Sequence, residues 1–217
     1  MTGAEEARDQ SGRPPGGEDA RERITPGGLL EAIRHRRSFK LPELSPEPID
    51  PSLIDRMLEA ANWAPSHGKT EPWRFVVFTG DARGTLGEAL GEAYRAVTPA
   101  EKFTEPALVA TRDRVWKAPV WIALGVEPDP ARVEWEELIA FGCAVMNMQL
   151  LACAQGLGCK WTSGATSVHP RVAEAAGFGG EIQLRGFLYV GRPAIEWPAG
   201  ERGPIEDKVR WEGESPS

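Results

Sequence analysis

One segment of the sequence, from about Val133 to Gln155, is apolar over nearly its whole length and constrains the fold more than any other. Its spacing predicts a long helix with apolar side chains on almost every side. These side chains are Leu138, Phe141, Ala144, Val145, Met148, Leu151 and Ala152. Because a surface helix normally keeps a polar face, such a helix belongs at the centre of its fold or in an interface between chains.

The flanking sequence predicts helices and strands in alternation. Thr25-Pro26 and Asp50-Pro51 are helix starts, each a capping side chain followed by Pro, and the first helix should run into Arg36-Arg37-Ser38. Further helices are expected from Asp81 and over 169–176, and strands over 73–79, 119–126, 159–162 and 183–190. This order predicts an α+β domain in which helices flank a mixed sheet.

Composition divides the chain into two parts. Residues 1–24 contain Gly, Pro, Ser, Gln and mixed charges with almost nothing to bury, which predicts a disordered tail. The tail has no apolar segment of the kind found in signal peptides. Residues 25–217 suffice for one domain with a single sizeable core.

Charge and residue counts argue against several classes of protein. A formal net charge of -7 makes nucleic acid an unfavourable partner. The three cysteines form no C-x-x-C pair and the three histidines are scattered, so we expect no metal site and a cytoplasmic protein with reduced thiols. No uninterrupted apolar run approaches the ~18 residues that span a bilayer, so no membrane partner is expected. Glu134, Glu136 and Glu137 suit the dipole at a helix start and are not predicted to be catalytic.

The first stretch with possible chemistry is Arg36-Arg37-Ser38. Arginine presents a planar fork of donors that matches a phosphate, and a serine hydroxyl adds a short donor. The alternative is that cations at the end of a helix complement its dipole.

The second stretch is the loop that begins at Trp63 and leads to a strand at Trp73. His67 and Lys69 could meet an anion, and Trp63 could cover an aromatic ring, since small-ligand sites often form on such loops. The alternative is a polar loop with its Trp packed on the core.

The third stretch, Gly158 to Ala165, follows the end of the long helix. Backbone groups of Ser163 and Gly164 could approach a flat ring closely, since glycine has no Cβ. A strand that simply ends in a turn explains the same residues.

In order and spacing, these stretches resemble the nitroreductase family, the FMN-dependent NAD(P)H oxidoreductases. The resemblance covers roughly Leu29 to Pro193 and is strongest to the short, single-domain members. It rests on Arg36-Arg37-Ser38, on 58–66 followed by 72–75, on 142–152 followed by 155–158 and Trp161, and on 186–193.

The resemblance implies an α+β fold with a central, mainly antiparallel mixed sheet, an intertwined homodimer and FMN at the subunit interface. Arg36, Arg37 and Ser38 would hold the phosphate and ribityl end of FMN. Trp161, Thr162 and Ser163 match the stretch beside the flavin. Trp63 and His67 match positions that reach FMN from the neighbouring subunit.

The implied reaction passes hydride from NAD(P)H to the flavin and then reduces a nitroaromatic or quinone by a ping-pong mechanism. The flavin does the chemistry, so no catalytic side chain is predicted. The same fold also leaves open another redox reaction, such as dehydrogenation or dehalogenation, or a non-catalytic flavin-binding dimer, with 98–117 as a possible substrate lid. Two departures from the family concern Trp63, where many relatives carry Arg, and the C-terminal basic residue, for which Lys208 and Arg210 are both candidates.

Overall fold

The computed structural model describes residues 25–213, so the tail predicted over 1–24 lies outside the described residues. Six α-helices and five strands occur in the described range. The helices are α1 (Pro26–His35), α2 (Pro51–Asn62), α3 (Ala82–Val97), α4 (Glu105–Asp113), α5 (Glu134–Ala154) and α6 (Pro170–Ala175). The strands are β1 (Leu44–Ser45), β2 (Trp73–Phe78), β3 (Val120–Val126), β4 (Gly158–Thr162) and β5 (Gln183–Pro193).

The five strands form one sheet in the order β1-β5-β3-β2, and β4 also pairs with β5. All pairings between these strands are antiparallel, and one isolated parallel bridge joins Ser38 to Cys159. The expected α+β architecture, with a mainly antiparallel sheet flanked by helices, is therefore confirmed.

Both faces of the sheet are covered, and β3 is buried along its whole length. Ile122 and Leu124 point into a core shared with α2 and α5, whereas Trp121 and Ala123 point into a second core shared with α3 and α6. Successive side chains of a strand face opposite sides, so an uninterrupted apolar run is what a strand between two helical layers requires.

The long helix α5 begins and ends within one residue of its predicted bounds. Its inner face is buried against the sheet and α2 through side chains such as Phe141, Ala144 and Met148. Its outer face carries a second line of apolar residues at helical spacing, which we call the outer stripe: Trp135, Ile139, Cys143, Met146 and Leu150. Trp135, Ile139 and Met146 are 60%, 57% and 43% exposed. The helix is thus central to the fold on one face only.

Helix α5 also corrects the expectation that no segment matches a membrane span. Its 21 residues have a window of mean hydropathy 1.6, which is long and apolar enough to cross a bilayer by length and composition. Polar residues such as Glu137, Asn147 and Gln149 interrupt the segment, so it contains no long uninterrupted apolar run. In the fold, 44% of that window is buried, and core helices of globular domains pass the same test of length and composition.

Three other details differ from the sequence prediction. Helix α1 ends at His35, so Arg36-Arg37-Ser38 lies beyond it, and its apolar residues Leu29, Leu30 and Ile33 are about half exposed. Strand β5 continues to Pro193, where it pairs with the unpredicted short strand β1. The possible lid over 98–117 contains α4 between two 3-10 turns.

Candidate functional site

The segment after α1 is fixed against the start of β4. The Phe39 amide donates to the Cys159 carbonyl over 3.1 Å, beside the parallel bridge between Ser38 and Cys159. The buried Tyr189 hydroxyl donates to the Phe39 carbonyl over 3.0 Å. These bonds hold the backbone at Ser38 next to a rigid strand, which positions the two arginines that precede it.

Both arginines are held by neutral partners. Arg36 Nη1 donates to Gln149 Oε1 over 3.3 Å, and Arg37 Nε donates to the Pro198 carbonyl over 3.0 Å. Within residues 25–213, no carboxylate oxygen lies within 4.0 Å of either guanidinium. Among the described residues, therefore, neither positive charge has a carboxylate counter-ion.

A depression opens beside these two arginines, between α1, the outer stripe of α5 and the segment after β5. Four arginines line it, namely Arg34, Arg36, Arg37 and Arg202, together with Ile33, Met146, Leu150 and Gly200. No described acidic side chain does so. Four arginine residues around one concavity give it a positive charge suited to a phosphate. The depression is therefore locally positive, although the chain as a whole has a formal net charge of -7.

Arg202 was not predicted from the sequence, which offered Lys208 and Arg210 as C-terminal basic candidates. The structure turns both elsewhere: Lys208 Nζ donates to the Pro204 carbonyl over 2.6 Å, and Arg210 pairs with Glu212. The segment before Arg202 is held against the end of α1 by Trp197, whose ring stacks on His35 at 4.9 Å and whose indole donates to the His35 carbonyl. This long-range stacking has no local sequence signal.

The second group of predicted residues lies at the far end of β4. Trp161 Nε1 donates to the Arg185 carbonyl over 2.9 Å, and its ring meets Phe141 edge-on at 5.6 Å. Thr162 approaches Gly186, which has φ +114° and no room for a Cβ beside the Thr162 carbonyl. A depression lined by Trp161, Ser163 and Val168 opens here.

Strand β4 therefore connects the two ends of the predicted site. Cys159, its second residue, lies beside Ser38. The strand then runs to Thr162, and Ser163 follows in the chain. Four residues of extended chain cover roughly 13 Å. The structure thus places the arginines and the stretch Trp161–Ser163 along one continuous edge.

The loop after Ser163 is anchored by Arg114, which the sequence did not single out. Arg114 Nη2 donates to the buried Ser167 Oγ over 3.0 Å, and its guanidinium carbon lies 5.9 Å from the centre of the Trp121 ring. Burial lowers the pKa of Arg114 from its ordinary value, because the charged form loses hydration. Arg114 links the end of α4 to the loop that continues β4.

Trp63 and His67 lie apart from these two groups in the single chain. Trp63 caps the C-terminus of α2 and is 81% exposed. His67 Nδ1 lies 2.6 Å from Glu136 Oε2, at a depression lined by Trp135, Ile139 and Cys143. One chain therefore joins six of the eight predicted residues and leaves Trp63 and His67 facing outward.

Burial disfavours the ionised form of two thiols near the site, Cys153 and Cys159. Burial raises the pKa of Cys159 to about 12, and burial also raises the pKa of Cys153, with Arg36 opposing the shift in both cases. Across residues 25–213, no three His, Cys, Asp or Glu side chains come close enough to hold a metal ion.

The chain is similar to known proteins over most of its length. A sequence profile of the Nitroreductase family matches residues 33–192. A protein of Escherichia coli K12 named "Putative NAD(P)H nitroreductase YdjA" is 35% identical over 77% of this chain and 89% of its own.

Solved structures share the fold. A nitroreductase-like family protein from Bacillus cereus has a TM-score of 0.73 and 27% identity, covering 88% of this chain and 99% of its own. A structure described as a "putative nitroreductase in complex with FMN", from Desulfovibrio desulfuricans, has a TM-score of 0.67 and 25% identity, covering 88% of this chain and 99% of its own. The profile and the E. coli relative cover most of the chain and agree with its fold, and on these grounds the chain belongs to the nitroreductase family.

Proposed function

We propose that this protein is a cytoplasmic, homodimeric, FMN-dependent oxidoreductase. It takes hydride from NAD(P)H and reduces small aromatic acceptors such as nitroaromatics and quinones by a ping-pong mechanism. The relatives support this assignment, since one carries NAD(P)H nitroreductase in its name and another is described in complex with FMN.

The observation that carries the proposal is the depression with four arginines. Arg36 and Arg37 have no carboxylate partner among the described residues, and Arg34 and Arg202 line the same concavity. Burying or half-burying a cation costs free energy unless an anion pairs with it. A phosphate monoester at the end of a ribityl chain fits this requirement, with Ser38 as a further donor.

The course of β4 supports the placement of the rest of the cofactor. With its phosphate at Arg36 and Arg37, an FMN extended along β4 would bring its ring toward Trp161, Thr162 and Ser163. Phe141 and the Arg185 carbonyl fix the orientation of the Trp161 indole, so this wall does not need to reorganise on binding. Gly186 lets the backbone carrying Thr162 lie close against β5.

A second subunit completes the site in this proposal. The outer stripe of α5 exposes large apolar side chains in a line, which is typical of an interface between chains. The same stripe touches the arginine depression through Met146 and Leu150 and the His67 depression through Ile139 and Cys143. Covering it with another copy would bring one chain's Trp63 and His67 toward the other chain's arginines.

When bound, FMN supplies a two-electron redox centre between NAD(P)H and the acceptor. The protein contributes position and electrostatics. Arg36, Arg37 and Arg202 would neutralise the phosphate, while Trp161, backed by the buried Phe141, would present an apolar wall at the ring end. No nucleophilic side chain is required, and none is assigned. The covering subunit would limit the access of water to the site, and nicotinamide and acceptor would bind there in turn.

The visible spectrum of the purified protein tests the proposal. We expect flavin bands after reconstitution with FMN, bleaching on anaerobic addition of NADH or NADPH, and recovery on addition of a nitroaromatic or quinone. Bands that persist with both nicotinamides would favour a flavin-binding dimer without this activity. Bleaching without recovery would favour another redox reaction on the same flavin, such as dehydrogenation or dehalogenation. No flavin bands in excess FMN would refute the proposal.

A further inference from the structure

The loop that carries His67 has an unusual backbone. Gly68, Lys69 and Glu71 have φ values of +68°, +58° and +47°. Left-handed conformations at non-glycine residues cost free energy and persist only where surrounding contacts hold them. The contacts of this loop therefore show what fixes the position of His67.

The first turn of α5 supplies those contacts through two adjacent carboxylates. Glu137 is completely buried, and its Oε1 accepts a hydrogen bond of 2.8 Å from the Thr70 hydroxyl. Its Oε2 accepts from the Asp129 amide over 3.3 Å. The loop is also closed on itself by the Glu71 amide, which donates to Ser66 Oγ over 3.2 Å. The backbone on both sides of Gly68 is thus tied down.

The neighbouring carboxylate reaches the imidazole itself. Glu136 Oε2 lies 2.6 Å from His67 Nδ1. An ionised carboxylate only accepts hydrogen bonds, so Nδ1 carries the proton and Nε2 is the ring atom left for a ligand. Besides the buried Glu137, the charged or titratable groups around this loop include Arg132, whose guanidinium lies against Gly68, Lys69 and Glu71 on the loop itself, and Cys143 across the depression.

We infer that Glu136 is a positioning residue, which fixes the ring orientation and the Nδ1–H tautomer of His67 so that Nε2 is presented outward to the FMN bound mainly by the second subunit. This inference rests on the proposed function and deepens it. It gives the chain's acidic helix start a role in assembling the shared site, in addition to its favourable position at the positive end of the helix dipole.

The alternative is that Glu136 only complements the helix dipole. The chain offers a matched control for that effect. Glu134 lies in the same first turn, its side chain is 64% exposed, and the nearest cation is Arg185 at 3.8 Å. A dipole effect alone should be similar at Glu134 and Glu136, whereas the positioning role belongs to Glu136.

The first measurement needs no FMN. Long-range 15N NMR of the full chain at alkaline pH, where imidazoles are neutral, reports the tautomer of each ring, and the chain has only three histidines to assign. We expect a single Nδ1–H tautomer for His67 in the unsubstituted protein and in Glu134→Gln. Glu136→Gln should give a tautomer mixture. An Nε2–H tautomer in the unsubstituted protein, or no change in Glu136→Gln, would overturn the inference.

The second measurement is the dissociation constant of FMN from the dimer. Losing the orientation of one hydrogen-bonding side chain should raise it about threefold to tenfold in Glu136→Gln and leave it unchanged in Glu134→Gln. In a His67→Ala background, Glu136→Gln should have no further effect. An effect that persists without His67 would mean that Glu136 acts by another route and would overturn the inference. If the unsubstituted protein bound no FMN, the proposed function would fail, and the NMR result would still decide whether Glu136 sets the tautomer.

Discussion

The two faces of helix α5 have similar composition and different surroundings. The inner face buries Phe141, Val145 and Met148 against the sheet and α2. The outer stripe carries Trp135, Ile139 and Met146, which are equally apolar and remain exposed in the single chain. Burying apolar surface stabilises a fold in proportion to the area removed from water, so the inner face stabilises the monomer and the outer face does not.

The apolar sequence pattern of a helix shows which side chains avoid water, but it does not show whether the same chain or another chain covers them. A helix apolar all round can face its own sheet on one side and another chain on the other. The sequence predicted that α5 lies at the centre of the fold or in an interface between chains, and its inner face is buried in the core while its outer stripe is exposed. In the proposed dimer, the outer stripe would be buried in its turn, and the residues that flank it would meet across the interface.

Two methionines two residues apart on α5 offer the most sensitive test of this difference. Met148 is fully buried in the core and Met146 is 43% exposed. We expect Met148→Ala to lower the free energy of unfolding by about 2–5 kcal/mol, because it leaves a cavity in the core. Urea denaturation measures this loss, which should not depend on protein concentration once dimer dissociation is accounted for.

The same substitution at Met146 is the control. Its effect on the free energy of unfolding should be smaller, and it should disappear at protein concentrations low enough to dissociate the dimer. Equal losses at both positions under dissociating conditions would mean that the outer face is buried within the monomer, contrary to the fold described.

The fold was largely predictable because its signals are local. Thr25-Pro26 and Asp50-Pro51 set helix starts, and the apolar run over 120–126 required a strand covered on both faces. The predicted end of α1 was wrong because Arg36, Arg37 and Ser38 are residues that suit a helix terminus. Their extended conformation comes from the distant bridge to Cys159, which no local pattern records.

Placing a charge on the outer stripe should separate the proposed dimer. We expect Ile139→Arg to raise the dimer dissociation constant by roughly 30-fold or more, the effect of losing about 2 kcal/mol at the centre of an interface. Sedimentation velocity measures the constant. FMN affinity should fall with the dimer, because Trp63 and His67 no longer reach the other chain's site.

The matched control is Val109→Arg, on α4 at the opposite side of the sheet, where Val109 is 38% exposed. It should leave the dimer and FMN binding unchanged. Dissociation in both variants, or in neither, would remove the distinction between the outer stripe and other exposed apolar residues.

The candidate site was less predictable than the fold because its parts are distant in sequence. Arg36, Arg37 and Ser38 were recognised from a local motif. Arg202 was not, since long-range contacts of Trp197 with His35 and of Pro198 with Arg37 bring the segment before it to α1. Lys208 and Arg210, the two C-terminal basic residues considered from the sequence, do not line the depression: Lys208 donates to the Pro204 carbonyl and Arg210 pairs with Glu212.

Arginine substitutions test whether the depression that adjoins the outer stripe binds an anion. Arg36→Ala should raise the FMN dissociation constant roughly tenfold to a hundredfold, because it removes a charge-assisted contact of about 1.5–3 kcal/mol. Quenching of FMN fluorescence measures the constant. Arg202→Ala should act in the same direction.

Arg210→Ala is the control, because Arg210 pairs with Glu212 and does not line the depression. Unchanged FMN affinity in Arg36→Ala, or an equal loss in Arg210→Ala, would refute the assignment of the phosphate end.

The smallest expected effect concerns pH and the same core that holds Met148. Burial raises the pKa of Cys159 from its ordinary value of 9.0 to about 12. The unfolded chain therefore ionises this thiol first, so its contribution to stability is complete below pH 9 and is lost as pH rises from 9 toward 12. At pH 10 the loss should be about 1 kcal/mol.

The measurement is the difference in free energy of unfolding between the unsubstituted protein and Cys159→Ala at pH 8, 9 and 10. Burial raises the pKa of Tyr189 to about 12 from 10.0, and the raised pKa of Cys153 contributes as well, but both residues are present in both proteins and largely cancel in the difference. The cavity left by alanine adds a constant offset, so only the change with pH is diagnostic. A difference independent of pH would mean that Cys159 is hydrated in the folded state. The core beneath the inner face of α5 would then admit water, and the contrast with the exposed outer stripe would be weaker.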